Sequence, residues 1–490
     1  MKSMRLFALV LLFATACATA NRQPQRLQQA PGGPWLAHEL ETQLPSARLD
    51  SLSATEQAAL RGSSLERYDD FDLGIIEFRD TGLLWSIQQA RLVLDHVGEE
   101  AMKRGATVVV FVHGWHHGAK VDDPNLVSFR HVLRTISHQD VLGERCTDKP
   151  PLKNRLIGIY IGWRGESSEN ALGKWLTIWN RKRAAQRIGG ATTPWQRLQV
   201  QANIRHASQF PDILTELDDI RIRANELPPD PQHRTFTSLV YVGHSLGGAM
   251  LLSAMQQLTF ENRLAGTSRN PARRMFRGIG DVVVLLNPAI EARRYRDFSE
   301  IAQSGRRFAD EQAPVLLTIS SDGDTANRRL FRISRILNSI FWPPRWFEFH
   351  DSITALGFAD SVQTHRLTLE NAKVTFPPLD QFSARNYYPS CAKQDEQGRF
   401  QLKTIRLASD QCSYGPLVQT TTSRGLDPNT PFMVVRTSND IITDHNNIFT
   451  SAMVSYLVPF VSAAERKNVL GRCGGMTDPE PLTASVSAEK

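Results

Sequence analysis

The pentapeptide Gly243-His244-Ser245-Leu246-Gly247 constrains this chain more than any other stretch of comparable length. The run in front of it, Thr237 to Val242, is apolar and β-branched with no helical period, so it reads as a buried strand. Ala249 to Leu258 behind it carries apolar residues at helical spacing and no breaker, so it reads as a helix. A serine between a strand and a helix must sit on a sharp turn, and the flanking glycines remove the Cβ clashes such a turn creates. The hydroxyl then emerges at the C-terminal edge of the strand, where a helix N-terminus can stabilise developing negative charge. The expected fold class is α/β: a mostly parallel central sheet flanked by helices, with a helical insertion and a loop excursion in the C-terminal half.

Other buried strands are predicted at Asp72–Phe78, Thr107–Val112, Leu156–Arg164, Asp281–Leu286, Val315–Ser320 and Pro431–Arg436. Helices are predicted from a Ser86 cap to about Lys103, near Leu126–Ser137, and from Ser451 to Ser462. Residues 21–67, rich in Gln, Pro, Ala and Ser, read as a polar tether with one short helix at Ala54–Arg61. The folded domain is placed at 68–475, followed by a mobile tail at 476–490. Within it, 165–233 is a helical insertion, with helices near 171–187 and 193–223. Its first part is expected near the site and the rest as crossover helices over the sheet. Residues 376–429 form an irregular excursion. Arg328–Phe349 is read as a core-facing helix with a basic outer face, ahead of a membrane-surface helix or an acyl-pocket wall.

The strand Thr107–Val112 ends in His113-Gly114-Trp115-His116-His117-Gly118. A strand ending in His-Gly and an aromatic resembles the oxyanion turn of α/β hydrolases, and the resemblance implies that Gly114 lets the Trp115 amide face a substrate carbonyl, with the Leu246 amide as the second donor and His113 shaping the turn. A metal site is the rival reading of three close histidines. His116 and His117 diverge, however, and no carboxylate sits at ligand spacing, so no metal is expected.

The succession of strand, oxyanion turn, strand, strand–Ser245–helix, strand, strand–acid and strand–histidine resembles the α/β-hydrolase superfamily of serine hydrolases, over about Asp72 to Ser462. Phe111–Gly118, Tyr160–Ser167 and Ile441–Phe449 look like an esterase- and lipase-like branch of it. The resemblance implies cleavage of an ester, thioester or amide, and the expected activity is hydrolysis of small-molecule or lipid esters through an acyl-enzyme. A serine hydroxyl needs a base within hydrogen-bond reach. His445, in the loop after the last strand, is the best placed, ahead of His350 and His365, while His244 would pack beside the nucleophile. An acid must hold the imidazole tautomer. Asp324 is the first choice, with Asp322 and Glu291 as alternatives. Such chemistry requires no cofactor. Two alternatives stay open: a non-catalytic envelope lipoprotein or binding protein on the same fold, and an acyltransferase using the same triad.

Lys2 and Arg5 precede an apolar run, Leu6–Ala14, and then small residues, the pattern of an export signal over 1–20. Ala14-Thr15-Ala16-Cys17 also resembles a lipobox, in which a lipid on Cys17 could anchor the chain to a membrane. The expected location is therefore periplasmic, outer-membrane-anchored or secreted. In an oxidising compartment Cys391 and Cys412 are the easiest pair to bridge, and Cys146 with Cys473 follows by elimination, among three connectivities. The net charge of +7 is spread over Arg-rich stretches rather than one block. That reads as a solvated surface, with anionic lipid ahead of nucleic acid, which is not an expected partner.

Overall fold

The structure is a computed structural model that describes residues 23–29, 35–36, 39–139, 154–165, 171–190, 209–226, 236–262, 278–303, 308, 312–341, 348–371, 373–391, 407, 411–423 and 425–474. It is a mixed α/β protein built on one twelve-stranded, mostly parallel sheet. In chain order the strands are β1 (Glu39–Leu44), β2 (Ser63–Tyr68), β3 (Phe71–Glu77), β4 (Ala106–Val112), β5 (Arg155–Gly162) and β6 (Ser238–His244). The second half supplies β7 (Val282–Leu286), β8 (Leu316–Ser321), β9 (His365–Leu369), β10 (Gln411–Tyr414), β11 (Leu417–Thr421) and β12 (Phe432–Thr437). Their spatial order is β10-β11-β9-β12-β8-β7-β6-β4-β5-β3-β2-β1. From β3 to β9 across the middle every neighbouring pair is parallel; antiparallel pairing enters at β2–β3, β9–β11 and β10–β11.

Parallel strands must be covered on both faces, which is why β4 to β8 read as continuous apolar runs. Side chains alternate across the sheet. From β6, Leu239 and Tyr241 enter one core with helices α2 (Ile87–Lys103), α4 (Ala171–Ile188), α5 (Phe210–Glu226), α6 (Leu246–Asn262) and α7 (Arg296–Gln303). Val240 and Val242 enter the other core, under α3 (Pro124–Ser137) and α10 (Ser451–Gly474). The result is a helix–sheet–helix sandwich. Local sequence sets the helix starts: Ser86 caps α2 by accepting from Gln89 N (3.3 Å), and Asp123 caps α3 ahead of Pro124 at its first turn.

Several boundaries differ from expectation. The described residues of 21–67 are not the tether expected: α1 (Ala54–Gly62) leads into β2, which pairs with β1 at the sheet edge. Arg26 is buried between Glu66 (3.1 Å) and Ala119 O, and Glu77 accepts the Gln25 and Arg26 N–H groups at 2.7 and 2.9 Å. Paired charges let a polar sequence enter a core. The excursion 376–429 holds the β10–β11 hairpin, and β9 precedes it unannounced. Cys391 and Cys412 are bridged, fixing the segment before β10 to that hairpin. The described part of 165–233 forms α4 and α5, which pack on the sheet as crossover helices; 166–170, 191–208 and 227–233 lie outside the described residues. The leader 1–20 with Cys17, the tail 476–490, Cys146 and the Cys473 side chain also lie outside them. Among the described residues no helix is long and apolar enough to cross a membrane.

The segment after β8 departs furthest. A π-helical turn (Ala326–Phe331) runs into α8 (Arg332–Phe341), followed by the short α9 (Phe349–Ile353). Phe331 faces inward and Arg328, Arg329 and Arg332 outward, as expected, but Leu330, Ile333 and Ile336 also face solvent, so among the described residues the outer face is apolar as well as basic. An inward Arg335, bonded to Glu291 (3.2 Å) and to Ser352 O (2.9 Å), sets which side is inside.

Candidate active site

β6 ends at His244, α6 begins at Leu246, and Ser245 between them has φ 54°. A non-glycine residue in that region costs about 1–3 kcal/mol and persists only where its surroundings over-determine it. They do so here: Ser245 N donates to Leu286 O (3.0 Å), and Ser245 O accepts from Ala289 N (3.1 Å) and Ala249 N (3.2 Å). Gly247 has no room for a side chain, because a Cβ would strike the Val112 and His113 carbonyls, and one on Gly114 would lie 2.8 Å from Ser245 Cβ. The turn after β4 is thus pressed against the serine.

His445 arrives from the loop between β12 and α10, and its Nε2 lies 2.7 Å from Ser245 Oγ. On the other side of the ring, Nδ1 lies 2.9 Å from Asp324 Oδ2, with the carboxylate oxygen displaced from the N–H axis. Asp324 follows β8 and is fully buried; Oδ1 accepts from Asn327 N (2.9 Å) and Oδ2 from Asn327 Nδ2 (2.8 Å). The three side chains chosen from sequence therefore meet in one line.

The rival acids are committed elsewhere. Asp322 pairs with Arg366 (2.8 Å) and Arg436 (2.7 Å). Glu291 pairs with Lys182 (2.7 Å) and Arg335; burial alone would raise its carboxyl, yet those two cations hold it down at about 2. Burial pulls the Lys182 ammonium to about 8 against the pull of Glu291. Asp444, beside His445, accepts from Asn446 N (2.8 Å) and Asn447 N (3.0 Å), and so shapes the histidine loop. His350 is exposed next to Asp351, and His365 is buried against Thr364 Oγ1 (2.9 Å); neither reaches Ser245.

Two backbone donors flank the serine. The Trp115 and Leu246 N–H groups have no acceptor among the described residues, as a pair of free oxyanion donors requires. His113 braces the first of them. Its Nε2 accepts from Trp163 N (3.1 Å), its carbonyl from Trp163 Nε1 (2.9 Å), and its Nδ1 donates to Gly114 O (2.9 Å). Burial lowers this imidazole to about 4, so it stays neutral and keeps that tautomer. Of the remaining histidines in the turn, His117 bonds to Asp123 (3.2 Å) and His116 packs on Trp115 (3.7 Å between ring centres). Among the described residues no three metal-ligating side chains converge.

Sequence reasoning missed the groups that hold the histidine loop. His244 Nε2 donates to His445 O (2.9 Å), so this residue does more than pack beside the serine. Burial, and after it the neighbouring imidazole of His445, push His244 far below its ordinary range, so it stays neutral. Asn287, at the end of β7 with φ 43°, donates from Nδ2 to the carbonyls of Asp444 and His445 (3.2 Å each) and accepts from Ser321 N (3.0 Å). Asn327 ties this asparagine to the acid through Asn287 O (2.8 Å). The only available signal was a small polar residue closing an apolar strand, where an amide tolerates left-handed backbone.

No protein-family model, curated protein or solved structure matches this chain.

Proposed function

We propose that this chain is a serine hydrolase of carboxylic esters on an α/β-hydrolase fold. The observation that carries the reading is the continuous line from Ser245 Oγ through His445 to Asp324, set on a strained strand–helix turn beside two amides that have no acceptor among the described residues. The central order β5-β4-β6-β7-β8-β12, with the serine after β6, the acid after β8 and the histidine after β12, supports the fold assignment.

In this reading His445 Nε2 takes the Ser245 proton as Oγ bonds to the ester carbonyl carbon. The carbonyl oxygen becomes an oxyanion facing the Trp115 and Leu246 N–H groups, while Asp324 stabilises the imidazolium. His445 then returns the proton to the alkoxy oxygen, the acyl carbon–oxygen bond breaks, and the alcohol leaves. Water, deprotonated by the same imidazole, attacks the acyl-serine and releases the acid. The leader pattern and the Cys391–Cys412 bridge support an exported protein, with lipidation at Cys17 as one mode of retention.

A fluorophosphonate probe tests the reading. Labelling is expected at Ser245 alone, and Ser245→Ala should lower turnover of a short-chain nitrophenyl ester by roughly 10⁴-fold or more without unfolding the chain. A folded protein that neither reacts with the probe nor loses activity in that variant would be a binding protein or a different enzyme. Release of a transferred acyl product in the presence of alcohol acceptors would reassign the site to acyl transfer.

A further inference from the structure

Among the described side chains from Ala326 to Ile336, the outward side carries apolar residues together with arginines. Leu330, Ile333, Ile336 and Phe349 are 40, 56, 40 and 41% exposed, and they make up most of the large exposed hydrophobic residues among those described. The inward side is firmly held: Phe331 is buried under the Lys182 ammonium (4.4 Å to the ring centre), and Arg335 bonds to Glu291 and Ser352. The helix therefore cannot roll to hide its isoleucines without breaking a buried ion pair.

Charge accompanies the apolar ridge. Arg328, Arg329 and Arg332 are exposed, and none meets a carboxylate among the described residues, whereas nearby Arg296, Arg366 and Arg436 each have one. A polar cleft of about 210 Å³ opens beside them, lined by Arg328, Arg332, His350 and Arg436. Asp360, the carboxylate among its described lining residues, lies 3.6 Å from Arg436. Three guanidinium groups with no carboxylate partner among the described residues, beside a row of isoleucine and leucine, match a surface that is anionic at its headgroups and apolar just beneath. A second copy of this chain fits poorly, since a twofold contact through this face would set the arginines of one copy against those of the other.

We infer that the outer face of Ala326–Ile336 is a docking face for an anionic lipid bilayer, its arginine cleft receiving a lipid phosphate while Leu330, Ile333 and Ile336 enter the acyl boundary. This goes beyond the hydrolase reading and does not depend on it. Asn327 joins the segment to Asp324 (2.8 Å), so docking would place the candidate site beside the membrane surface.

The test is vesicle flotation of the full chain carrying Cys17→Ser, which removes any acyl anchor at that position. Binding to mixed phosphatidylglycerol–phosphatidylcholine vesicles is expected to exceed binding to phosphatidylcholine alone by about fivefold per arginine, on the order of a hundredfold for three. Arg328→Gln/Arg329→Gln/Arg332→Gln should erase that preference, and Leu330→Ser/Ile333→Ser/Ile336→Ser should cut binding tenfold or more, roughly as lost apolar burial requires. Both variants should keep the parent's circular dichroism. Equal binding by parent and variants would place the contact elsewhere and overturn the inference. So would a parent dimer in light scattering that the isoleucine variant dissociates, or a serine variant that unfolds at lower urea, since either means protein already covers the face. Full release by inorganic phosphate, with the serine variant still binding, would reduce the cleft to a simple phosphate site and also overturn it.

Discussion

Replacing Asp324 by asparagine changes one atom of a buried carboxylate, and the structure sets out the consequences. Oδ2 of Asp324 faces two donors, Asn327 Nδ2 and His445 Nδ1, while Oδ1 faces Asn327 N. An amide NH₂ in either position therefore meets a donor. Leaving one buried donor unsatisfied costs about 1–3 kcal/mol of stability. His445 can relieve the clash only by moving its proton to Nε2, and that removes the acceptor Ser245 needs. A wrong tautomer of this kind is worth roughly 10⁴ in kcat, about 5 kcal/mol of barrier. Asp322→Asn is the control: its arginine partners are partly exposed, so stability should change by about 1 kcal/mol or less and kcat hardly at all. Steady-state ester hydrolysis with urea unfolding of both variants decides the matter. Asp324→Asn retaining activity within about tenfold, or Asp322→Asn proving the more damaging, would refute the assignment of the acid.

Asn287→Ala removes the two amide bonds that hold the Asp444 and His445 carbonyls and puts alanine at φ 43°. Kinetics should show kcat down about 10- to 100-fold with KM nearly unchanged, as expected when a reacting group is misplaced but binding is not. Stability should fall in two stages on acidification. Burial holds His113 at about 4, so its contribution is whole above the ordinary value of 6.5 and is lost as pH drops towards 4, on the order of 3 kcal/mol. Glu66, where burial is overcome by Arg130 and Arg26, and Glu291 are both held at about 2 and lose their contributions between 4.5 and 2. Urea midpoints flat from pH 7 to pH 4 would contradict the buried neutral imidazole. Cys391→Ser/Cys412→Ser opens a loop spanning 21 residues and should cost about 3 kcal/mol while leaving kcat intact, because the β10–β11 hairpin lies at the far sheet edge.

The strands that build the centre of the sheet were legible because parallel strands covered on both faces are continuous β-branched runs, as Val108–Val112 and Val282–Leu286 are. Ser86 and the glycines around Ser245 likewise announced a helix start and a turn through local chemistry. What stayed open or was missed depended on partners distant in the chain. Asp322 and Asp324 are two residues apart, and only Arg366 and Arg436, brought in by β9 and β12, separate the surface ion pair from the buried acid. Glu66 and Arg26 lie in the stretch read as a tether, because neither reveals the other, or Arg130, along the sequence. Periodicity marked 328–349 as amphipathic, yet it says nothing about which side faces the body.

Ser245 and His445 lie 200 residues apart, and the bonds from Asn287 to Asp444 and His445 also reach across more than 150. Loops of that size close slowly, so the constellation cannot exist until the carboxy-terminal strand has found its place beside β8. Recovery of ester cleavage after dilution from denaturant would therefore trail the return of helical signal. An amino-terminal fragment ending before Phe432 would own a serine with nothing to take its proton, which makes turnover a clock for the final docking event.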